Sequence, residues 1–216
     1  MATLIRNGRI VTAVDDYVAD ILVDGGRIAT IGLHLDVGGD VEIHDATGLL
    51  VLPGGVDVHT HLDMATPTAR TIDTFGSGTK AAAFGGTTTV VDFCTPVAGE
   101  STLKGLEAWH RLSESACVDV GAHMILLDAD AGTLADMKTL IRNEGVSSFK
   151  LFMAYPGVFM LDDASIFRAM LRTGKNGGTI CMHAENGGVI DTLVQDALRN
   201  VLGLWRGNWP MPGMHD

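Results

Sequence analysis

Three histidines and one lysine stand at positions where their side chains could take part in metal chemistry. His59 and His61 are two residues apart, directly after a Pro-Gly-Gly turn at 53–55. Because side chains alternate along a strand, both imidazoles point to the same side, and two imidazoles at a strand end are able to bind one cation. Taken alone, the pair also fits two exposed histidines without a metal. Its position at the end of the first long apolar strand favours the metal site.

Lys150 and His183 lie in similar surroundings. Lys150 interrupts the apolar run 149–153. An unpaired ammonium is unfavourable in such a run, so this lysine must pair, lose its proton or be modified, unless its amine reaches water from the strand end. His183 closes the run 178–183, where it fits either a metal ligand or a core histidine bonded to backbone.

The elements that must position these residues alternate between apolar strands and helices. We predict strands at 55–59, 87–93, 118–126, 147–153 and 178–183. Between and after them we predict helices at 71–84, 101–115, 131–144, 162–175 and 188–200. This alternation predicts a parallel sheet covered by helices. Polar residues recur at the strand ends, which favours an α/β fold with about five units of a TIM-type (β/α)₈ barrel over an open sheet.

The first 50 residues have no helical period and predict a small β-module of short strands. An Asn-Gly pair at 7–8 predicts a turn between two strands, and an Asp-Gly-Gly sequence at 24–26 predicts a second turn. We therefore divide the chain into a β-module at 1–50, part of a barrel at 51–198 and an atypical tail at 199–216. The tail is rich in Trp, Pro, Gly and Met and is predicted to be a loop.

Composition limits the classes of partner. The chain has 216 residues and a net charge of −11, with no basic run, which argues against nucleic acid. We see neither a secretory signal nor an apolar run long enough to span a membrane. Cys94 and Cys181 lie in apolar runs and are predicted to be buried reduced thiols; with Cys117 they make an odd number without CxxC spacing. These features predict a cytoplasmic protein.

The motifs together resemble the cyclic amidohydrolases, most closely the hydantoinases and dihydropyrimidinases. The resemblance runs from residue 3 to about residue 198. It is carried by four segments in family order: 48–64, 77–89, 148–156 and 183–186. It implies a (β/α)₈ barrel with a small β-sandwich module beside it, the module being incomplete within residues 1–50. It also implies a metal-dependent hydrolase that opens hydantoins or dihydropyrimidines to N-carbamoyl amino acids. The implied partner is a small cyclic imide, and the implied assembly is a homo-oligomer, typically a tetramer.

The resemblance also implies roles for individual residues. His59 and His61 would hold one divalent metal ion, His183 the second, and Lys150, carbamylated by carbon dioxide, would bridge both; the metal is typically zinc. Tyr155 would hydrogen-bond the oxyanion of the tetrahedral intermediate. Four further side chains would line the pocket for the substrate's side chain, namely Leu62, Met64, Phe152 and Phe159.

Two ligands of the family pattern have no counterpart among these residues. The resemblance implies a fourth histidine from the sixth barrel strand, and an aspartate from the eighth that is also the general base. We predict five barrel strands and do not transfer a role to His215. We therefore expect the 216-residue chain alone to be unstable and weakly active or inactive.

Other functions remain open. Dihydroorotase is disfavoured because Asp63 stands where that enzyme has an arginine for its carboxylate substrate, whereas allantoinase is not excluded. Non-catalytic dihydropyrimidinase-like scaffold proteins share the fold but have lost metal ligands, and a non-functional truncated product is a third alternative.

Overall fold

A computed structural model of the chain describes residues 2–65 and 69–208, and only the backbone of 201–208. The chain divides into two compact units, Met1–Gly55 and Val56–Asp216. The division falls five residues after the predicted end of the β-module.

The first unit is a single mixed sheet. Its strands are β1 (Ala2–Val11), β2 (Asp16–Asp24), β3 (Arg27–Gly32), β4 (Val41–Asp45) and β5 (Leu50–Val51). The order is β3-β2-β1-β4, and β5 also pairs with β1. The predicted Asp-Gly-Gly turn is present, with Gly25 and Gly26 at positive φ between β2 and β3.

The predicted turn at Asn7-Gly8 is wrong. β1 runs through this dipeptide without reversing, and its register against β2 shifts between Ile5 and Gly8. Asn7 takes a φ of 59° and donates its backbone N–H to a carboxylate oxygen of Asp20 at 2.9 Å. The left-handed residue is thus accommodated as a β-bulge, since Asp20 supplies the acceptor that the neighbouring strand would otherwise give.

The second unit confirms the five predicted βα units. The strands are β6 (Gly55–Thr60), β7 (Thr87–Cys94), β8 (Asp119–Ile125), β9 (Ser148–Phe152) and β10 (Thr179–His183). The helices are α1 (Phe75–Phe84), α2 (Thr102–Ser113), α3 (Ala131–Arg142), α4 (Asp163–Asn176) and α5 (Gly187–Asn208). The sheet order is β10-β9-β8-β7-β6, so consecutive strands are neighbours, as in a (β/α)₈ barrel and unlike a doubly wound sheet.

Side-chain alternation separates the two faces of this sheet. On β9, Phe149 and Leu151 are fully buried in a core shared with helix residues such as Met137, Leu140 and Ala169. Lys150 and Phe152 alternate with them and point to the opposite face. Asp130 and Asp162 fix where α3 and α4 begin, because each carboxylate accepts a backbone N–H in the first turn.

Helix α5 is longer than predicted. It continues to Asn208, past the predicted end at residue 200, so residues 201–208 are helical where we predicted a loop. No proline occurs between residues 187 and 208 to interrupt it. The remainder of the predicted tail, 209–216, lies outside the described residues.

Two further properties bear on the predictions of partners and thiols. Within the described ranges, no helix is long and apolar enough to cross a bilayer. The three cysteines are free: Cys94 is buried, Cys181 is half-buried and Cys117 is exposed. Burial, together with the nearby charge of Asp92, raises the pKa of the Cys94 thiol to about 12.

Candidate active site

One cavity in the second unit brings together the histidines and the lysine singled out in the sequence. Its volume is about 340 Å³. The lining residues come from the ends of the five strands and from the loops that follow them: His59, His61, Met64, Phe93, Ile125, Lys150, Phe152, Tyr155, Phe159 and His183. Residues far apart in the sequence therefore meet at one end of a parallel sheet, where barrel enzymes place their chemistry.

His59 and His61 lie side by side at the end of β6. Their ring centroids are 5.2 Å apart and the rings are nearly perpendicular. The ring of Phe93 on β7 supports both, at 4.6 Å from His59 and 4.8 Å from His61. Partial burial, followed by the neighbouring His59, lowers the pKa of His61, which favours the neutral imidazole that metal binding requires.

Lys150 enters the cavity from the middle of β9 and is only 8% exposed. Its Nζ atom lies 5.2 Å from the ring centre of Phe152 and 5.7 Å from that of Phe93. Within the described part of the chain, this amine has no carboxylate partner and donates no hydrogen bond. The ring faces offset only part of the unfavourable burial of an ammonium, so the amine has a free position for modification or a ligand.

His183 is the last residue of β10, and its ring stacks against Phe152 with centroids 5.5 Å apart. Its Nε2 atom is 3.1 Å from a carboxylate oxygen of Glu185, but the contact lacks hydrogen-bond geometry. Among the residues described, this buried nitrogen has no hydrogen-bond partner. A buried nitrogen that lacks a hydrogen bond at the wall of a cavity is suited to bind a ligand.

Tyr155 lies at the rim with an unusual backbone. Its φ is 64°, in the left-handed region, and it directly precedes Pro156. Both conditions are unfavourable for a bulky residue. Its carbonyl oxygen accepts N–H groups from the turn at 158–160, and its ring lies 5.3 Å from that of His183. The strained turn therefore carries the phenol to the cavity, a placement common at functional sites.

Three of the four predicted substrate-pocket residues line the cavity, namely Met64, Phe152 and Phe159. Leu62 does not. It packs against α1 at Gly78, where an added Cβ would lie only 2.3 Å from a Leu62 methyl carbon. The cause is the alternation that points His61 inward and its neighbours outward. Leu62 lines a second cavity of about 350 Å³ beneath Trp109 instead.

Two polar residues at the site were missed by sequence reasoning. Asp92, on β7, is buried and accepts hydrogen bonds from the hydroxyl of Thr60 and the backbone N–H of Leu62. Burial raises the pKa of Asp92, although these hydrogen bonds oppose the effect. A charged residue inside the apolar run of β7 was the available signal, but its partners lie about 30 residues away.

His123, on β8, is the second missed residue. Its Nε2 lies 2.9 Å from the carbonyl oxygen of Val58, and its Nδ1 lies 2.6 Å from the hydroxyl of Ser148. The carbonyl accepts only, so Nε2 carries the proton and donates to Val58, and Nδ1 accepts from Ser148. In this tautomer, His123 on β8 is hydrogen-bonded both to β9 and to β6, at the residue that precedes His59.

The side chains at the cavity that could bind a metal ion are of two types, histidine and lysine. In residues 2–65 and 69–208, no group of three or more His, Cys, Asp or Glu side chains is close enough to hold a metal ion. The cavity instead offers a histidine pair, a lysine amine without a hydrogen-bond partner among the described residues, and the His183 nitrogen beside Glu185.

Comparisons with known proteins agree with this geometry. The model of the family described as Dihydro-orotase-like matches residues 48–204. Over 201 residues the chain is 49% identical to a D-hydantoinase of Streptomyces coelicolor, covering 91% of this chain and 43% of that protein. A D-hydantoinase of Geobacillus stearothermophilus is 47% identical, with 93% and 42% covered.

Solved structures give the same result. The crystal structure of a dihydropyrimidinase from Brevibacillus agri superposes with a TM-score of 0.89 at 45% identity, covering 93% of this chain and 43% of that one. The chain thus spans less than half the length of these relatives. The chain is similar to D-hydantoinases and a dihydropyrimidinase. The strand order, the residues at the strand ends and the matched sequence model lead to one conclusion: this chain belongs to the dihydro-orotase-like family.

Proposed function

We propose that the cavity is the N-terminal part of the active site of a metal-dependent hydrolase that opens cyclic amides. The substrates proposed are hydantoins or dihydropyrimidines, and the products are N-carbamoyl amino acids. The observation that carries the proposal is the convergence of His59, His61, Lys150 and His183 on one cavity. The names of the relatives, D-hydantoinase and dihydropyrimidinase, support the substrate class.

The Lys150 amine and the His183 nitrogen, both without a hydrogen bond among the described residues, support a pair of divalent cations, with zinc as the first candidate. His59 and His61 would hold one ion and His183 the other, with Lys150 between them as a carbamate. When bound, such ions supply a water of lowered pKa and a polarised carbonyl.

The remaining residues bind and orient the substrate. We assign the phenol of Tyr155 to donate a hydrogen bond to the carbonyl oxygen as negative charge develops there. Phe152 and Phe159, whose rings stack at 5.0 Å, form an apolar wall with Met64 for the substituent on the substrate ring. Leu62 was predicted to join this wall, but its packing against α1 favours a supporting position.

The experiment measures metal and carbamate in the purified 216-residue chain. We expect zinc uptake, and a carbamate carbon signal from Lys150 after incubation with ¹³C-bicarbonate. His59→Ala should abolish both, because the lysine carbamate is stabilised by the metal. The matched control His110→Ala removes an exposed histidine of α2 and should change neither. A chain that takes up no zinc, or takes it up equally in His59→Ala, would contradict the proposal.

Turnover is a separate question. The described residues include neither a fourth histidine nor an aspartate in this cavity. We therefore propose that the chain alone opens hydantoin or dihydrouracil slowly or not at all. Rapid metal-dependent ring opening by the purified chain would overturn this impairment while leaving the assignment as a hydrolase intact.

The alternatives differ in what they require of the site. A non-catalytic scaffold needs no metal ligands, yet all four predicted ones lie at the cavity. A carboxylate substrate of the dihydroorotase type needs a free cation, whereas Arg70 pairs with Asp63 at 3.1 Å. These contacts favour the cyclic-amide hydrolase. From the free thiols we further propose a cytoplasmic location. From the family resemblance we propose assembly into a homo-oligomer.

A further inference from the structure

The carboxylate of Asp92 holds the chain on both sides of His61. One of its oxygens, Oδ2, accepts from the hydroxyl of Thr60 at 2.9 Å and from the backbone N–H of Leu62 at 2.8 Å. Strand β6 ends at Thr60, so the N–H of Leu62 lies beyond the regular strand. The side chain of Asp92 therefore continues the pairing of β6 with β7 past the point where the strand ends.

Asp92 is itself held rigidly. It is 1% exposed, and its second oxygen, Oδ1, accepts from the backbone N–H of Phe93 at 2.7 Å. The ring of Phe93 points to the opposite face of the sheet, where it touches the rings of His59 and His61. Two consecutive residues thus contact the end of β6 from opposite faces of the sheet. The Asp92 carboxylate does so from the helix side, and the Phe93 ring does so from the cavity side.

The stability of the fold does not by itself explain why an aspartate occupies position 92. Within the described ranges, Asp92 has no lysine, arginine or histidine at ion-pair distance, and a buried charge without such a partner is unfavourable. A neutral side chain that packs well would hold two strands together at least as effectively. What the carboxylate adds over a neutral amide is a second acceptor oxygen: Oδ2 fixes the two donors on either side of His61 while Oδ1 accepts the N–H of Phe93.

We propose that Asp92 is a positioning residue that sets the imidazole of His61 for metal binding, with the hydroxyl of Thr60 as its intermediary. The inference rests on the proposed function, in which His59 and His61 hold a divalent cation. When a residue that hydrogen-bonds and orients a metal ligand is replaced, metal affinity typically falls by about 10- to 100-fold. Asp92 acts through Thr60 and Leu62 and does not itself line the cavity.

The test uses Co²⁺ as the probe, because its visible absorption reports the geometry of its ligands. Thr60→Val removes the hydroxyl and keeps the shape of the side chain, and Asp92→Asn keeps the shape but replaces one acceptor oxygen by a donor. The control Thr88→Val makes the same change on β7, at an exposed threonine that makes no side-chain hydrogen bond within the described residues. Urea denaturation of all four proteins measures folding independently.

We expect Thr60→Val and Asp92→Asn to weaken Co²⁺ binding about 10- to 100-fold and to alter the absorption spectrum, with Thr88→Val equal to the wild type. If Asp92→Asn does not fold, Thr60→Val alone decides. Wild-type affinity and spectrum in Thr60→Val would overturn the proposal. So would an affinity loss that matches the loss of folding stability while the spectrum is unchanged.

Failure of the proposed function has a different signature, namely that the wild-type chain takes up no Co²⁺. The positioning role is then read without metal, from the imidazole ¹⁵N resonances of His61 and His183. A shift of His61 alone in Thr60→Val supports it. If neither histidine shifts, or both shift equally, Asp92 has no specific effect on His61.

Discussion

At the scale of single residues, the backbone of Tyr155 is the most constrained feature of the site. A side chain at a φ of 64° brings its Cβ too close to the following carbonyl oxygen, which costs about 1–2 kcal/mol. The constraint holds the phenol at the cavity rim. It follows that the position should prefer glycine over alanine once the ring is gone.

We predict that Tyr155→Gly is more stable to urea than Tyr155→Ala, by about 1–2 kcal/mol in the free energy of unfolding. The two variants lose the same ring and differ only in Cβ. Val158, three residues on, is similarly exposed and has a negative φ, so it provides the control. At that position the free energy of unfolding of Val158→Ala should exceed that of Val158→Gly by about 0.4–1 kcal/mol. The same order at both positions would show that Tyr155 is not strained.

The sequence carried the identities of the residues at the cavity but not the contacts that hold them. His59 and His61 follow from the period of a strand, and Lys150 and His183 from polar residues in apolar runs. Asp92 and His123 are also polar residues within apolar runs, but the sequence does not reveal their partners, since Val58 is 65 residues from His123. Their hydrogen bonds exist only because the barrel order makes β6, β7 and β8 neighbours.

At the scale of elements, the approach of α1 to the end of β6 depends on a helix residue without a side chain. Gly78 leaves the space that Leu62 fills, and the backbone N–H of Leu62 is fixed by Asp92. The leucine is therefore unable to retreat freely from a larger residue in the helix.

We predict opposite effects for two glycine-to-alanine changes in helices. Gly174→Ala, in α4, adds a methyl group to open space and should stabilise by about 0.5–1 kcal/mol. Gly78→Ala gains the same helix preference but crowds Leu62, which costs about 1–3 kcal/mol. Thermal denaturation should therefore place Gly78→Ala below Gly174→Ala. Equal melting temperatures would mean that Leu62 moves aside without loss.

The first unit offers a pH-dependent prediction. Each oxygen of Asp20 accepts one backbone N–H at 2.9 Å, from Asn7 on the bulge and from Leu35 after β3. The hydrogen bond from Asn7, with that from Leu35, holds the pKa of Asp20 below its usual value. A lowered pKa in the folded state stabilises the fold above the unfolded-state pKa, and this stabilisation is lost as pH falls through the folded-state pKa.

We therefore expect Asp20→Asn to be less stable than the wild type at neutral pH, with the difference shrinking from about pH 4 downward. Urea titrations at several pH values measure it. Asp24→Asn is the control, because Asp24 is exposed at the end of β2 and makes no side-chain hydrogen bond in the described ranges. A difference for Asp20→Asn that stays constant down to pH 2 would contradict the assignment.

Strand period and turn chemistry predicted most of these elements within a few residues. The exceptions have local causes. Asn7-Gly8 has the composition of a hairpin turn, but Asp20 and the pairing of β1 with three strands keep the chain extended. The end of α5 was placed too early because glycine and tryptophan were taken as loop residues, whereas neither residue type interrupts the helix between Gly187 and Asn208.

At the scale of the whole molecule, the described surface carries many large apolar side chains. On α5, Val189 and Leu193 are four residues apart and 53% and 63% exposed, and Phe167 on α4 is 60% exposed. Contiguous apolar patches on a protein surface promote association. The net charge of −11 opposes association at low salt and is screened at high salt.

We predict that the purified chain self-associates in a concentration- and salt-dependent manner, with a mass above the monomer's 22.8 kDa by light scattering. The double variant Val189→Glu with Leu193→Glu should shift the mass toward the monomer. The control Thr192→Glu with Gln195→Glu adds the same charge at polar positions of the same helix. It should shift the mass toward the monomer less. If both pairs act equally, charge rather than apolar surface governs association.

The ring of Phe93 touches side chains from three other strands, with His123 at 5.0 Å and the Nζ of Lys150 at 5.7 Å in addition to the histidine pair. A larger or smaller residue at this one place would disturb all four neighbours together. Among descendants of a common ancestor, we therefore expect exchanges at position 93 to be rare and to be accompanied by exchanges on the strands around it. Aligned relatives would reveal this as correlated variation centred on a residue that performs no chemistry of its own.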